Sequence, residues 1–159
     1  EAHPGKLKLE VNYAGTTQFV DPALVRGTFA EGSALARSVP EGLARGAYYA
    51  FLVSEVHPFD DGNGRLSRLI MNAELTRSGA SRIIIPTLYH LQYVDCARAL
   101  TRKNEPQGFV QALAKMARWS SQFNYEGLDL LIDEVRKTNA LEESPVEFQL
   151  LNQDGSRAA

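Results

Sequence analysis

The chain has 159 residues, 44% apolar and 23% charged, which suits one ordinary globular core. A formal net charge of −2 leaves no electrostatic footprint for nucleic acid. No apolar run reaches membrane-spanning length and no signal peptide is visible, while a lone cysteine, Cys96, excludes an internal disulfide; a reducing, cytoplasmic setting is therefore expected, with no membrane and no nucleic acid as partner.

In chain order, Lys6, Leu7, Lys8, Leu9, Glu10 and Val11 alternate polar and apolar side chains, the period of a half-buried strand. Ala14 to Thr17 offer a turn and Gln18, Phe19 and Val20 a short return, so a hairpin is predicted over about residues 6–20. Ser38 is placed to cap a helix with Pro40 and Glu41 in its early turns. Leu43, Ala47, Ala50, Phe51 and Ser54 continue it at helical spacing until Pro58 disfavours helical geometry at His57. Asp60, Asp61, Gly62, Asn63 and Gly64 are turn residues. From Arg65 a helical period resumes through Leu66, Leu69, Ile70 and Ala73, and Gly79 supplies its stop.

The remainder reads as scaffold. Residues 81–86 form a short connector, and Thr87 is placed to cap a helix running to about Lys103. Asn104 and Pro106 open another through Phe109, Val110, Leu113, Ala117 and Phe123, and Leu128, Leu131, Ile132 and Val135 define the last. His90, Trp119 and Cys96 are read as packing or rim residues, as are Tyr89 and Tyr93, for which a nucleotide base is the competing neighbour. His3 is expected to be mobile. Gly155, Ser156, Arg157 and the terminal alanines predict a frayed end. The expected organisation is thus a catalytic domain over 1–143 and a tail over 144–159.

The chemistry is concentrated in His57, Pro58, Phe59, Asp60, Asp61, Gly62, Asn63, Gly64 and Arg65, with Arg68 one helical turn further on. The loop feeds its backbone amides to a helix N-terminus, where unpaired N–H groups and the dipole favour an anion. Gly62 and Gly64 let that backbone approach a phosphate closely. Arg65 and Arg68 share one helical face and suit outer phosphates; Asp61 is a hard oxygen ligand of the kind Mg²⁺ takes singly or in pairs. Asn63 offers an amide to a phosphoryl oxygen, Phe59 an apolar pin for the loop, and His57 a base that titrates near neutrality. A glycine turn or an arginine pair alone is commonplace. Eight specified positions, each about one in twenty by composition, do not align in a short chain by accident.

This run, His57 to Arg68, resembles in full the signature H-x-F-x-[DE]-G-N-G-R-x-x-R of the Fic (filamentation induced by cAMP) family, and the resemblance extends over about residues 5–123. It implies an all-α, mostly helical Fic-type bundle with a small N-terminal β-hairpin flap. It further implies transfer of AMP from ATP to a Tyr, Ser or Thr hydroxyl of a target protein, releasing pyrophosphate. By position, His57 would be the base, Asp61 the Mg²⁺ ligand and Phe59 the loop anchor. Gly62, Asn63 and Gly64 would form the anion hole around the α-phosphate, with Arg65 and Arg68 on the outer phosphates. The flap, through Leu7, Leu9 and Val11, would hold the target by adding it as a strand. Gly64 departs from the kinase-like branch, which has Lys there. The same site also suits UMP or phosphocholine transfer or removal of AMP, and a non-catalytic helical interaction module is the remaining alternative.

Many relatives carry an inhibitory helix of pattern [ST]-x-x-x-E-[GN]. Thr101 to Pro106 fails it at Pro106, and Ser121 to Gly127 is one residue too long. Either the element is lacking, or it lies upstream of Glu1 or on a partner; an upstream location is the expectation, since the helix with which the family core normally begins is not found in this sequence either.

Overall fold

The structure is a computed structural model that describes residues 4–143 and 149–158. His3 lies outside them. The chain divides into two compact units, Glu1–Ala80 and Ser81–Ala159. The described residues hold six α-helices and one two-stranded antiparallel sheet, so the helical class with a small hairpin is as expected.

In the first unit the hairpin is shorter and later than the alternation suggested. β1 (Tyr13–Ala14) pairs with β2 (Thr17–Gln18), Tyr13 opposite Gln18 and Ala14 opposite Thr17. Gly15 opens the two-residue turn at φ 60°, a left-handed conformation that glycine adopts freely. Residues 6–11 form no strand, and the expected alternation breaks at positions 8 and 9: Lys8 is 2% exposed and Leu9 77%. Burial of Lys8 is possible because its ammonium bonds Asn12 Oδ1 at 2.7 Å and the Val56 carbonyl at 3.4 Å.

Asp21 caps a 3-10 turn at Pro22–Leu24 by accepting from the Ala23 N–H, and α1 (Val25–Leu35) follows. Ser38 does not cap the next helix. Its hydroxyl turns back to the Leu35 carbonyl at 2.7 Å, and α2 (Leu43–Val56) starts instead from Gly42, whose φ of 85° redirects the chain. α3 (Asn63–Arg77) begins at Gly62 and ends in a Schellman turn. Gly79 sits at φ 73°, and the amides of Ala80 and Gly79 reach the Leu75 and Thr76 carbonyls.

α2 and α3 pack antiparallel through Gly46. A Cβ there would lie 3.4 Å from both the Met71 carbonyl oxygen and Leu75 Cγ, ordinary contact distance, so the helices meet closely at this point. At the far end Glu74, 7% exposed, receives two bonds of 3.0 Å from Arg77, which also reaches Glu41 at 2.9 Å; Arg45 pairs with Glu41 at 3.1 Å. The buried stripe of α3 is Asn63, Ser67, Met71, Glu74 and Leu75. Hydropathy had pointed to Leu66, Leu69, Ile70 and Ala73, yet Leu69 is 67% exposed and Ala73 is exposed too. Beneath the N-terminal segment, Leu7 and Val20 pack on Val25, Leu52 and Val56.

The second unit contains α4 (His90–Lys103), α5 (Pro106–Ser120) and α6 (Leu128–Arg136). A 3-10 turn at Thr87–Tyr89 precedes α4, Asn104 closes it at φ 56°, and Pro106 starts α5. Residues 149–158 correct the expectation of a frayed end. Leu150 and Ala158 join Leu88, Trp119, Phe123, Val135 and Ala140 in one core. Trp119 Nε1 donates to the Leu151 carbonyl at 2.9 Å, and Leu150 donates to the Tyr89 hydroxyl at 2.9 Å. Tyr89 and Trp119 are thus packing residues of this unit.

Candidate active site

Every motif side chain stands on the joint between α2 and α3. His57 ends α2 in the left-handed region (φ 47°, ψ 60°), its amide still bonded to the Val53 carbonyl at 3.0 Å. That conformation turns the chain out of the helix immediately before Pro58. His57 Nδ1 lies 3.1 Å from the Ser54 carbonyl, which can only accept, so the proton belongs on Nδ1 and the lone pair on Nε2. Phe19 stacks on the imidazole, ring centroids 3.7 Å apart and planes 8° from parallel. Burial pushes the pKa of His57 below its ordinary 6.5. The Ser54 bond opposes this, the charge of Lys8 adds to it and that of Asp61 opposes it. The result is a neutral imidazole whose free nitrogen can accept a proton.

The loop is held by its backbone. Phe59 donates its N–H to Asn63 Oδ1 at 2.9 Å, and its carbonyl accepts from Asn63 Nδ2 at 2.8 Å and from Asn12 Nδ2 at 3.0 Å. Asn63 is 1% exposed, so the amide expected on a phosphoryl oxygen is instead committed to Phe59. Leaving those buried backbone groups unpaired would cost about 1–3 kcal/mol each. Phe59 is partly buried, and it lines a cleft of about 860 Å³ with Lys6, Leu7, Leu9, Pro22 and Arg26.

Gly62 stands at φ 82°, ψ 1° and opens α3; its carbonyl takes the first helical bond, from Leu66 at 2.9 Å. The amides of Asn63, Gly64 and Arg65 therefore precede the first intrahelical bond, the place where a helix start offers N–H groups to an anion. Arg68 curls back over the same turn. The position a Cβ on Gly64 would occupy lies 3.6 Å from Arg68 Nη1. Arg65 and Asp61, 71% and 73% exposed, pair at 3.3 Å across the mouth. The exposed Asp61 carboxylate beside the helix start fits Mg²⁺, which fills its shell largely from phosphate oxygens and water. Among the described residues no three His, Cys, Asp or Glu side chains converge on a site built wholly from protein ligands.

Of the expected flap residues, Leu7 packs inward, Leu9 projects outward, and Val11 is half-exposed. Phe19, Asn12 and Lys8 were missed as site residues. Their signal is a hydrogen-bonding or stacking partner about forty to fifty residues away, which no local period carries.

Residues 7–75, which hold all of this geometry, match the model of the Fic/DOC family. This stretch belongs to the Fic family. Over 68 residues it is 38% identical to the protein adenylyltransferase Fic of Drosophila persimilis, covering 43% of this chain and 13% of that protein. Over 75 residues it is 39% identical to that of Drosophila grimshawi, covering 47% and 15%. The solved structure of Fic-1 from C. elegans is similar in fold, with a TM-score of 0.63 at 24% identity over 73% of this chain and 35% of that one. The chain thus spans roughly a seventh of the curated Fic relatives it matches.

Proposed function

We propose that this Fic segment transfers AMP from ATP to a Tyr, Ser or Thr hydroxyl of a target protein. The observation that carries the reading is the pairing of a neutral His57, Nε2 free, with the glycine-lined helix start at Gly62 and Gly64. In the proposed step the target oxygen bonds to the α-phosphorus while its proton passes to His57 Nε2. The bond to the β-phosphate breaks and pyrophosphate leaves. The loop amides take the charge that develops on the α-phosphoryl oxygens; Arg65 and Arg68 take that of the departing phosphates. Asp61 would hold the Mg²⁺ that neutralises the phosphates when bound. The curated relatives are named as adenylyltransferases, which supports the same reaction class.

The exposed Leu9, with Val11 and the Tyr13–Ala14 edge, is the proposed docking strip for the target strand, and Leu7 anchors it from below. The test of reaction type is the position of the label. With a lysate as target source, ATP labelled at the α-phosphate should label protein and ATP labelled at the γ-phosphate should not. The opposite pattern would mean phosphoryl transfer and would end this reading.

A further inference from the structure

A lysine is buried directly behind the loop. Lys8 donates its amide to the Pro58 carbonyl at 2.9 Å and its ammonium to the Val56 carbonyl at 3.4 Å, so it grips the residues on both sides of His57. That ammonium also bonds Asn12 Oδ1 at 2.7 Å. Asn12 in turn donates Nδ2 to the Phe59 carbonyl, and its main-chain carbonyl accepts from the Phe19 N–H at 3.2 Å. The orientation of the Asn12 amide is chemically determined, because an ammonium only donates and a carbonyl only accepts. Phe19, the ring stacked on His57, therefore hangs from the same residue that fixes Phe59.

We propose that Lys8 and Asn12 are positioning residues for the base, together setting where the imidazole of His57 stands and holding the loop that follows it. The inference rests on the AMP-transfer reading. Neither residue reaches the loop mouth with its own polar atoms, which are spent on Val56, Pro58 and Phe59. Their influence on transfer must pass through His57 and the loop backbone. The positive end of Lys8 also sits at the C-terminal carbonyls of α2, where the helix dipole favours it. Asp21 is the charged group that faces Lys8; Lys8 and Asp61 are those that act on His57.

The variants are Asn12→Leu, which removes both bonds, Asn12→Asp, which keeps the acceptor for Lys8 but loses the donor to Phe59, Lys8→Met, and Lys8→Arg as the conservative replacement. Turnover should fall about ten- to a hundredfold in the first three, with ATP affinity changed less than about twofold, because misplacement costs the transition state and not ground-state binding. Lys8→Arg should recover most of the turnover. NMR titration of the His57 ring in the whole chain should show its pKa raised in Lys8→Met, since a charge opposing protonation is gone. Should Asn12→Leu fail to fold, Asn12→Asp carries the same expectation. Variants of native helical content with wild-type turnover would overturn the proposal, as would equal loss of turnover and ATP affinity. The titration needs no substrate. An inactive wild type with a shifted ring in Lys8→Met would sink the transfer reading and leave the positioning intact; an unmoved ring in that variant would sink the positioning, whatever the activity.

Discussion

At the scale of the residue, His57 is specified by four separate contacts. Its backbone is left-handed, its Nδ1 faces the Ser54 carbonyl, its face carries Phe19, and Lys8 grips the residues on either side of it. Burial, the dominant influence, disfavours the imidazolium. The base form should therefore persist at neutral pH and below the ordinary histidine range. The acid limb of kcat/KM against pH is predicted to lie under 6.5, and a limb at or above that value would mean a charged or exposed ring. The motif residues were legible because their types are rare in that order. Lys8 and Asn12 were not, because a lysine in an alternating stretch reads as a solvated side chain. Its burial depends on Val56 and Pro58 carbonyls delivered by a distant helix end. The bonds of the Asn63 side chain to Phe59 were illegible for a related reason. A buried asparagine and an exposed one look alike until the backbone it satisfies is in place.

At the scale of the element, α2 ends in the base and α3 begins with the anion nest, so their mutual packing sets the distance between the two. Gly46 against the Met71 carbonyl and the Glu74–Arg77–Glu41 network are the contacts that hold it. The Met71 carbonyl belongs to a helix backbone and cannot move aside for a side chain. Gly46→Val is expected to destabilise the chain by about 1–3 kcal/mol, read from the urea midpoint. An unchanged midpoint would show that the helices do not meet there. The ends of these helices were readable from Pro58 and Gly79, residues whose covalent geometry acts locally. The inner face of α3 was not, since hydropathy cannot see that Asn63, Ser67 and Glu74 are buried with partners of their own. The strand predicted over residues 6–11 failed by the same mechanism, with Lys8 inward and Leu9 outward.

At the scale of the whole molecule, the site lies entirely within the first unit. The second unit closes its own core with Leu150 and Ala158, so Gly155 and Ser156 form an ordered turn that composition alone presents as a loose end. No helix among the described residues is long and apolar enough to cross a membrane. The base, the helix start and the docking strip invoked for the proposed activity all belong to that first unit. Intact-protein mass spectrometry after incubation with ATP and Mg²⁺, beside His57→Ala, tests that claim most directly. An AMP adduct on the wild-type chain and none on a variant that still binds ATP is the predicted result; equal adducts on both, or an adduct of phosphoryl mass, would contradict it.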